Sequence, residues 1–406
     1  MGKTSEETQS APLLSHFNHE TDPTLVREYP AMWDSLRGYG RAFRTDAARW
    51  NVWYLLGFDD QREAFQKSDI FSSHVVGAFI EEKTQMPWIP LTLDPPEHQK
   101  YRRLLNPWFT EATAKEITPR VRERCVQLIE TFRAKGRCDL VTDFARLFPT
   151  TIFMKIMGLP VEESGKFLAW IDQLMHTSEA EDPGASMRMA TQQQIAQYLG
   201  ELVAARRKEP RDDLVTYLTR ATIDDRPLTD MELLSISFLL YMAGLDTVAG
   251  MLTYIFRHLA EHPDHRTRLR EHPEAIPDAV EEFLRYYAIV TTSRFVARDV
   301  EFAGCPMRAG DRVVLPTAAS GRDPNQIADA DKFIIDRSQN RHLSFGAGPH
   351  RCLGSHLARV ELAVAIEEWH KRIPDYRIEP GAQIAQHVAG VAGLDTLPLV
   401  WETNRA

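Results

Sequence analysis

The sequence predicts a mainly α-helical protein with a minor β part, and three observations carry that expectation. Helical periodicity dominates from about Pro96 to residue 288, with breaks at Gly158-Leu159-Pro160, Asp182-Pro183-Gly184 and Asp224 to Pro227. A run of 21 apolar-rich residues, ISFLLYMAGLDTVAGMLTYIF from Ile236 to Phe256, is far too long for a strand. Only Ser293 to Pro316 and the final TLPLVW read as β-rich, with turns at Ala303-Gly304 and Ala309-Gly310-Asp311.

In chain order, the opening MGKTSEETQSAPLLSHFNHE has no apolar stretch of the kind a secretory signal needs. Residues 1–20 are expected as a flexible tail and 21–406 as a single domain, because no linker divides them. Trp50 to Gly57 (WNVWYLLG) reads as a short strand. A helix should begin at Pro95-Pro96, since proline suits a first helical turn. The long helix should start near Thr229, where Thr229 and Glu232 have capping-box spacing, and run to His262-Pro263. At 1.5 Å per residue it would be about 50 Å long and would cross the middle of the molecule. Asp246 lies at its centre, where a charge is costly in lipid, so a buried core helix is expected rather than a membrane span. Another helix follows Pro277. An irregular stretch then leads to Cys352, and a helix begins at about Leu353.

The totals exclude several classes. The net charge of −9 argues against a dedicated nucleic-acid binder, which would show a basic face. Cys125, Cys138, Cys305 and Cys352 form no CxxC pair, so neither a paired-cysteine zinc site nor a disulfide framework is expected. A reduced, cytoplasmic setting fits this usage.

The chemistry concentrates in FGAGPHRCLGSHLARVEL, residues 345 to 362. A dinucleotide loop is excluded by context, because Arg351 stands where the third glycine would be and no clear strand precedes it. A lone cysteine is most often an inert core thiol. Here glycines permit positive φ, and the helix start favours an anion, which should lower the pKa of Cys352 toward a thiolate ligand. Gly354 leaves room for a flat body, Phe345 can pack against it, and His350 and Arg351 bring donors for anionic groups. A thiolate beneath a planar, acidic cofactor describes haem ligation.

Three more constellations stand apart from that loop. Ala243-Gly244-Leu245-Asp246-Thr247 places an acid and an alcohol inside an apolar helix. Its bland reading is a core helix whose Thr bonds back to the carbonyl four residues earlier. The alternative is a groove opened by Gly244, in which Asp246 and Thr247 handle protons. Glu282 and Arg285 at i,i+3 are ordinarily a weak surface pair, but Val280, Phe283, Leu284 and Tyr286 surround them. His98 and Arg102 at i,i+4 share one helical face.

Phe345-Gly346-x-Gly348-x-His350-x-Cys352-x-Gly354 resembles the haem-binding signature of the cytochrome P450 monooxygenases, and the other motifs follow in that family's order. LDPPEH, AGLDTV, HLARVEL and TLPLVW look most like its soluble, bacterial, camphor-hydroxylase-like branch. The resemblance implies a triangular helical prism with small β-sheets and a long central helix over haem b. It implies Cys352 as the iron ligand, with Phe345, Gly346 and Gly354 around the haem. His98, Arg102, Arg294 and His350 would hold its propionates, and Asp246 and Thr247 would deliver protons to bound dioxygen. Glu282 and Arg285 would be structural, completed by Arg337. Electrons would come from NAD(P)H through a ferredoxin reductase and an iron–sulfur ferredoxin, of the 2Fe-2S kind, docking on a patch of Lys100, Arg103 and Arg351.

The expected substrate is compact, apolar and terpenoid-like. The windows facing the haem are Met86, Trp88, Ile89 and Leu91, then Leu239, Met242 and Ala243, then Ile289, Val290 and Thr292, then Val391 and Ala392. None is charged, so a charged substrate would be buried without a partner. A small aromatic substrate for oxidation or O-dealkylation is the runner-up. The rival of another class, a non-catalytic haem-thiolate sensor or carrier, has no use for the acid–alcohol pair. No nucleic-acid or membrane partner is expected.

Overall fold

The computed structural model describes residues 12–74, 77–79, 87–177 and 182–403. Helices α1 (Phe58–Gln66), α2 (Glu97–Leu105), α3 (Glu111–Phe132), α4 (Leu147–Met157), α5 (Asp230–Leu245), α6 (Thr247–Glu261), α7 (Ile276–Tyr287) and α8 (Ser355–Arg372) build the part that matters for the site. A five-stranded sheet joins β1 (Ala42–Thr45), β2 (Val52–Leu55), β3 (Phe71–Ser72), β4 (Thr291–Val296) and β5 (Arg312–Pro316) in the order β1-β2-β5-β4-β3. Its β2–β5 pairing is parallel, with Trp53 opposite Val313, and ties the beginning of the chain to the segment after α7. Near the C-terminus, β6 (Gln386–His387) and β7 (Gly393–Leu394) form a small hairpin.

The expected capping box is present: the Thr229 hydroxyl accepts from the Glu232 N–H, and the Glu232 carboxylate accepts from the Thr229 N–H at 2.7 Å. The single long helix expected to follow is instead two, α5 and α6, interrupted at Asp246 with φ −112°. Its cause is local. The Thr247 hydroxyl donates to the Ala243 carbonyl at 3.2 Å, the acceptor that a regular helix gives to the Thr247 amide. The neighbouring Leu245 carbonyl accepts from Thr150 Oγ1 on α4 at 3.4 Å. The span Asp230–Glu261 is long and apolar enough to cross a membrane, but 72% of its most apolar window is buried inside the protein.

The break falls between two apolar cores. Leu233, Ile236, Phe238, Leu240 and Leu245 belong to one, with Phe153, Phe167 and Ile195. Leu252, Ile255, Phe256 and Leu259 belong to the other, with Phe144 and Trp369. Trp369 anchors α8 there, its ring 4.7 Å from Phe256 and 5.6 Å from Phe132. That anchor fixes the C-terminal half of α8, while the Arg359–Glu281 ion pair ties its early turns to α7.

Two further expectations are corrected. Helix α8 begins at Ser355, with Gly354 as its N-cap, rather than at Leu353. Residues 12–20 are not a free tail: Leu14 donates to the Arg44 carbonyl at 2.9 Å, and Phe17 and His19 are buried against Tyr54.

Gly244 does not open a groove. A Cβ there would lie 2.4 Å from the Phe153 ring, so the space is filled by α4 packing directly on α5. Gly244→Ala therefore overpacks the core and should cost about 1–3 kcal/mol. Adding Phe153→Leu should recover most of that loss in thermal melts. Equal stability of parent and Gly244→Ala would contradict this packing.

Candidate functional site

The loop before α8 is set by glycines and by one hydrogen bond. Gly346 and Gly348 have φ of +65° and +66°. A Cβ on Gly348 would meet the Phe65 carbonyl at 2.5 Å, so the loop lies directly on α1. The Cys352 N–H donates to the Phe345 carbonyl at 2.8 Å and closes the turn. The Gly354 N–H then points at the Cys352 sulfur. Phe345 is half-buried, with the Arg359 guanidinium 4.6 Å over its ring.

Cys352 is accessible to solvent-sized contact, yet burial is the largest influence on its thiol. It faces an internal space rather than bulk water. A Cβ on Gly354 would meet nothing within 4 Å, as the expected room for a flat body requires. The expected lowered pKa is not found. Burial pushes the thiol up, and the Gly354 N–H with the charges of Arg102, Arg351 and Arg359 offsets this only in part. The helix start is therefore insufficient to ionise this sulfur; a bound cation would be needed.

The structure also gathers His98, Arg102, Arg294 and His350 from three segments: α2, β4 and the loop before α8. The two imidazole rings lie 4.0 Å apart. His98 Nδ1 and His350 Nε2 are buried without hydrogen-bond partners. Burial, reinforced by Arg102, holds His98 down to about 4, and burial with Arg294, His98 and Arg102 holds His350 lower still. Both rings are neutral at pH 7. Burial lowers Arg294 to about 10; its guanidinium bonds the Ser293 carbonyl at 2.8 Å and lies over Phe65. Among the described residues neither Arg102 nor Arg294 has a carboxylate partner. Two cations and two unsatisfied ring nitrogens form a receptor for a dianion.

The irregular stretch is pinned by a buried ion triad. Glu282 and Arg285 are fully buried and paired twice at 2.7 Å. Arg285 also donates to the carbonyls of Gly321, Ala330 and Lys332 at 2.7–2.8 Å. Arg337, as expected, reaches Glu282 at 3.1 Å and the Asp329 and Lys332 carbonyls. Glu281 adds a parallel tie, bonding Arg359 on α8 at 2.9 Å and His342 at 3.1 Å.

At the helix break, Leu239, Ala243 and Thr247 are accessible in a stripe at i, i+4 and i+8, although the residues between them are mostly buried. That stripe is an uncovered face of the break. Met242, by contrast, is buried within the core. Ile289 and Ala392 are also buried, and the Ala392 N–H donates to the Ile289 carbonyl at 2.8 Å. Val290 pairs with Val391, so these two distant windows are neighbours, with Val290, Thr292 and Val391 half-exposed. Trp88 lies 5.8 Å from the Phe238 ring, Ile89 donates to Ser235 Oγ, and Leu91 is half-buried. Met86 lies outside the described residues.

Asp246 has a partner that sequence reasoning missed. Its Oδ1 lies 3.1 Å from His176 Nε2. Burial opposes the Asp246 charge, but His176, His387 and Arg146 outweigh it and hold the carboxyl below its usual range. His176 belongs to no motif and lies 70 positions upstream. The available signal was general: a carboxylate in an apolar helix requires a donor somewhere.

Among the described residues no group of three His, Cys, Asp or Glu side chains converges to hold a metal ion. A metal here would come inside a group that supplies its other ligands. The accessible thiol, the open face at Gly354 and the dianion receptor fit an iron porphyrin with two carboxylates.

Comparison with known proteins agrees. The family model for Cytochrome P450 matches residues 29–369. A probable cytochrome P450 127A1 from Sinorhizobium fredii is 35% identical over 353 residues, covering 86% of this chain and 83% of its own. The mycinamicin IV hydroxylase/epoxidase of Micromonospora griseorubida is 38% identical over 317 residues, covering 77% and 79%. The crystal structure of CYP101J2 superposes with a TM-score of 0.86 at 32% identity, covering 99% of this chain and all of that one. The chain belongs to the cytochrome P450 family. As a member it is a monooxygenase using haem b, dioxygen and electrons from NAD(P)H delivered by redox partners.

Proposed function

We propose that Cys352 ligates the haem iron, that His98, Arg102, Arg294 and His350 hold the two propionates, and that the substrate is a compact, apolar, terpenoid-like molecule. The observation that carries the reading is the accessible Cys352 sulfur, toward which the Gly354 N–H points, with Arg102 near it and the unsatisfied ring nitrogens of His98 and His350 beside Arg102 and Arg294. Bound there, haem supplies the activation of dioxygen that lets one oxygen atom enter substrate while the other leaves as water.

The chain's own residues do the rest. Arg102 and Arg294 neutralise the dianion, and His98 Nδ1 and His350 Nε2 can donate to it when they carry a proton. The triad of Glu282, Arg285 and Arg337 keeps the sulfur in place. Thr247 donates to the Ala243 carbonyl in the resting state. Redirecting that hydroxyl into the cavity exchanges one hydrogen bond, worth about 0.5–1.5 kcal/mol, for another. Asp246 is the adjacent acid that restores its proton.

The half-exposed Trp88, Leu91, Leu239, Val290 and Val391 with Ala243 and Thr292 are uncharged, which supports a neutral substrate. Trp88 makes a small aromatic compound the second reading. We further place the enzyme in the cytoplasm, reduced by an acidic 2Fe-2S ferredoxin through exposed Arg103 and Arg351. Lys100 drops out of that surface because Glu97 and Asp224 hold it at 2.8 and 2.6 Å.

Reduced protein under carbon monoxide should give the thiolate-type Soret band, and Cys352→Ala should lose it; retention of the band would disprove the ligand assignment. Thr247→Ala should keep NADH consumption within about threefold but divert most of it to hydrogen peroxide, measured as product formed per NADH. Titration with monoterpenoids, alkylphenols, fatty acids, steroids and mycinamicin IV should show tight conversion to high-spin iron with the first group. Tight conversion only with a charged or much larger compound would refute the substrate class.

A further inference from the structure

We propose that His176 is the positioning residue and proton source for Asp246, forming with His387 and Asp395 a path from the helix break to solvent. This rests on the reading of Asp246 as the acid that serves Thr247.

The four side chains form a graded series. Asp246 is 13% exposed, His176 20%, His387 26% and Asp395 50%. Their contacts follow the same order. Asp246 Oδ1 lies 3.1 Å from His176 Nε2, the His176 and His387 rings meet at 4.3 Å, and His387 Nδ1 lies 2.6 Å from Asp395 Oδ1. Three elements converge here: the helix break, the π-helical turn Asp172–His176, and the β6–β7 hairpin with Asp395 following it. The other charged groups facing His176 are Asp172 and Arg146, which pair with each other. Asp246 Oδ2 is buried with no hydrogen-bond partner, so the carboxyl has one oxygen engaged by His176 and one available to pass a proton onward.

The step is a proton transfer without electron transfer. The Nε2–H bond of the His176 imidazolium breaks as an O–H bond forms on Asp246 Oδ1, leaving a neutral ring and a neutral acid. Once the Thr247 hydroxyl has given up its own proton, Asp246 replaces it and returns to a carboxylate, and the ring is reprotonated from solvent along the His387–Asp395 side. An arginine in this place would pin Asp246 permanently; a histidine titrates. Burial lowers the His176 pKa, but Asp246 more than reverses this and leaves it above the usual 6.5. The imidazolium is therefore present below that raised value and is lost as pH rises through it. Turnover should fall along the same limb.

The test uses the holoenzyme. In its reduced, carbon-monoxide-bound form, NMR titration of the His176 ring should give a pKa above 6.5, dropping by about one unit in Asp246→Asn. His176→Gln keeps a hydrogen-bond donor but cannot titrate. It should lower kcat by up to about 10²-fold, the low end for a positioned proton donor. KM and melting temperature should stay unchanged, and the alkaline limb should disappear. A His176 pKa that ignores Asp246→Asn, or a His176→Gln enzyme with the parent pH profile and solvent isotope effect, overturns the proposal. If Asp246→Asn slows turnover while His176→Gln does not, only the role of His176 falls. If Asp246→Asn leaves turnover unchanged, the underlying reading of Asp246 falls with it.

Discussion

The site depends on one buried carboxylate. Glu282 accepts from two guanidiniums, from the Ile334 N–H at 2.7 Å and from Asn340 Nδ2 at 3.1 Å. Around it, Arg285 and Arg337 satisfy carbonyls of a stretch that has almost no regular structure. An irregular segment in a protein interior must find partners for its backbone groups, and here side chains from α7 and Arg337 supply them. Breaking such a pair on one side strands a buried charge, at a cost of about 3–5 kcal/mol. The sulfur thus sits at the end of a segment held by charge from within, while Trp369 clamps the helix that follows.

The central span illustrates a second constraint. Its N-terminal half belongs to one core and its C-terminal half to another. At the junction neither core closes over Ala243 and Thr247, so a stripe stays accessible there. The same place holds the hydroxyl that breaks the helix ladder and the acid tied to His176. At the break the Thr247 hydroxyl takes the Ala243 carbonyl. The break thus sets where the hydroxyl and the acid sit relative to each other.

Much of this was legible in the chain. Glycine, histidine and cysteine at fixed spacing in one loop are local signals, as are a capping box at Thr229 and Glu232 and the i,i+3 pair of Glu282 and Arg285. Arg337 could be anticipated only through the family resemblance, since nothing local in the sequence ties it to Glu282. What failed to be legible depended on distant packing. Gly244 reads as an opening until Phe153 of α4 is seen to fill it. The thiol pKa follows from a helix start only if burial is ignored, and here burial wins. The interruption at Asp246 needs the Thr150 contact as well as Thr247. His176, His387 and Asp395 carry no motif, because ring contacts across separate segments leave no period in a sequence.

The receptor made by Arg102, Arg294, His98 and His350 has a thermodynamic consequence. Two desolvated guanidiniums and two neutral rings with unanswered nitrogens store unfavourable free energy in the folded chain, which a dianion relieves. Affinity for the prosthetic group and stability of the fold are thus one linked quantity. Each tenfold rise of free ligand above its dissociation constant adds about 1.4 kcal/mol to the folded state alone.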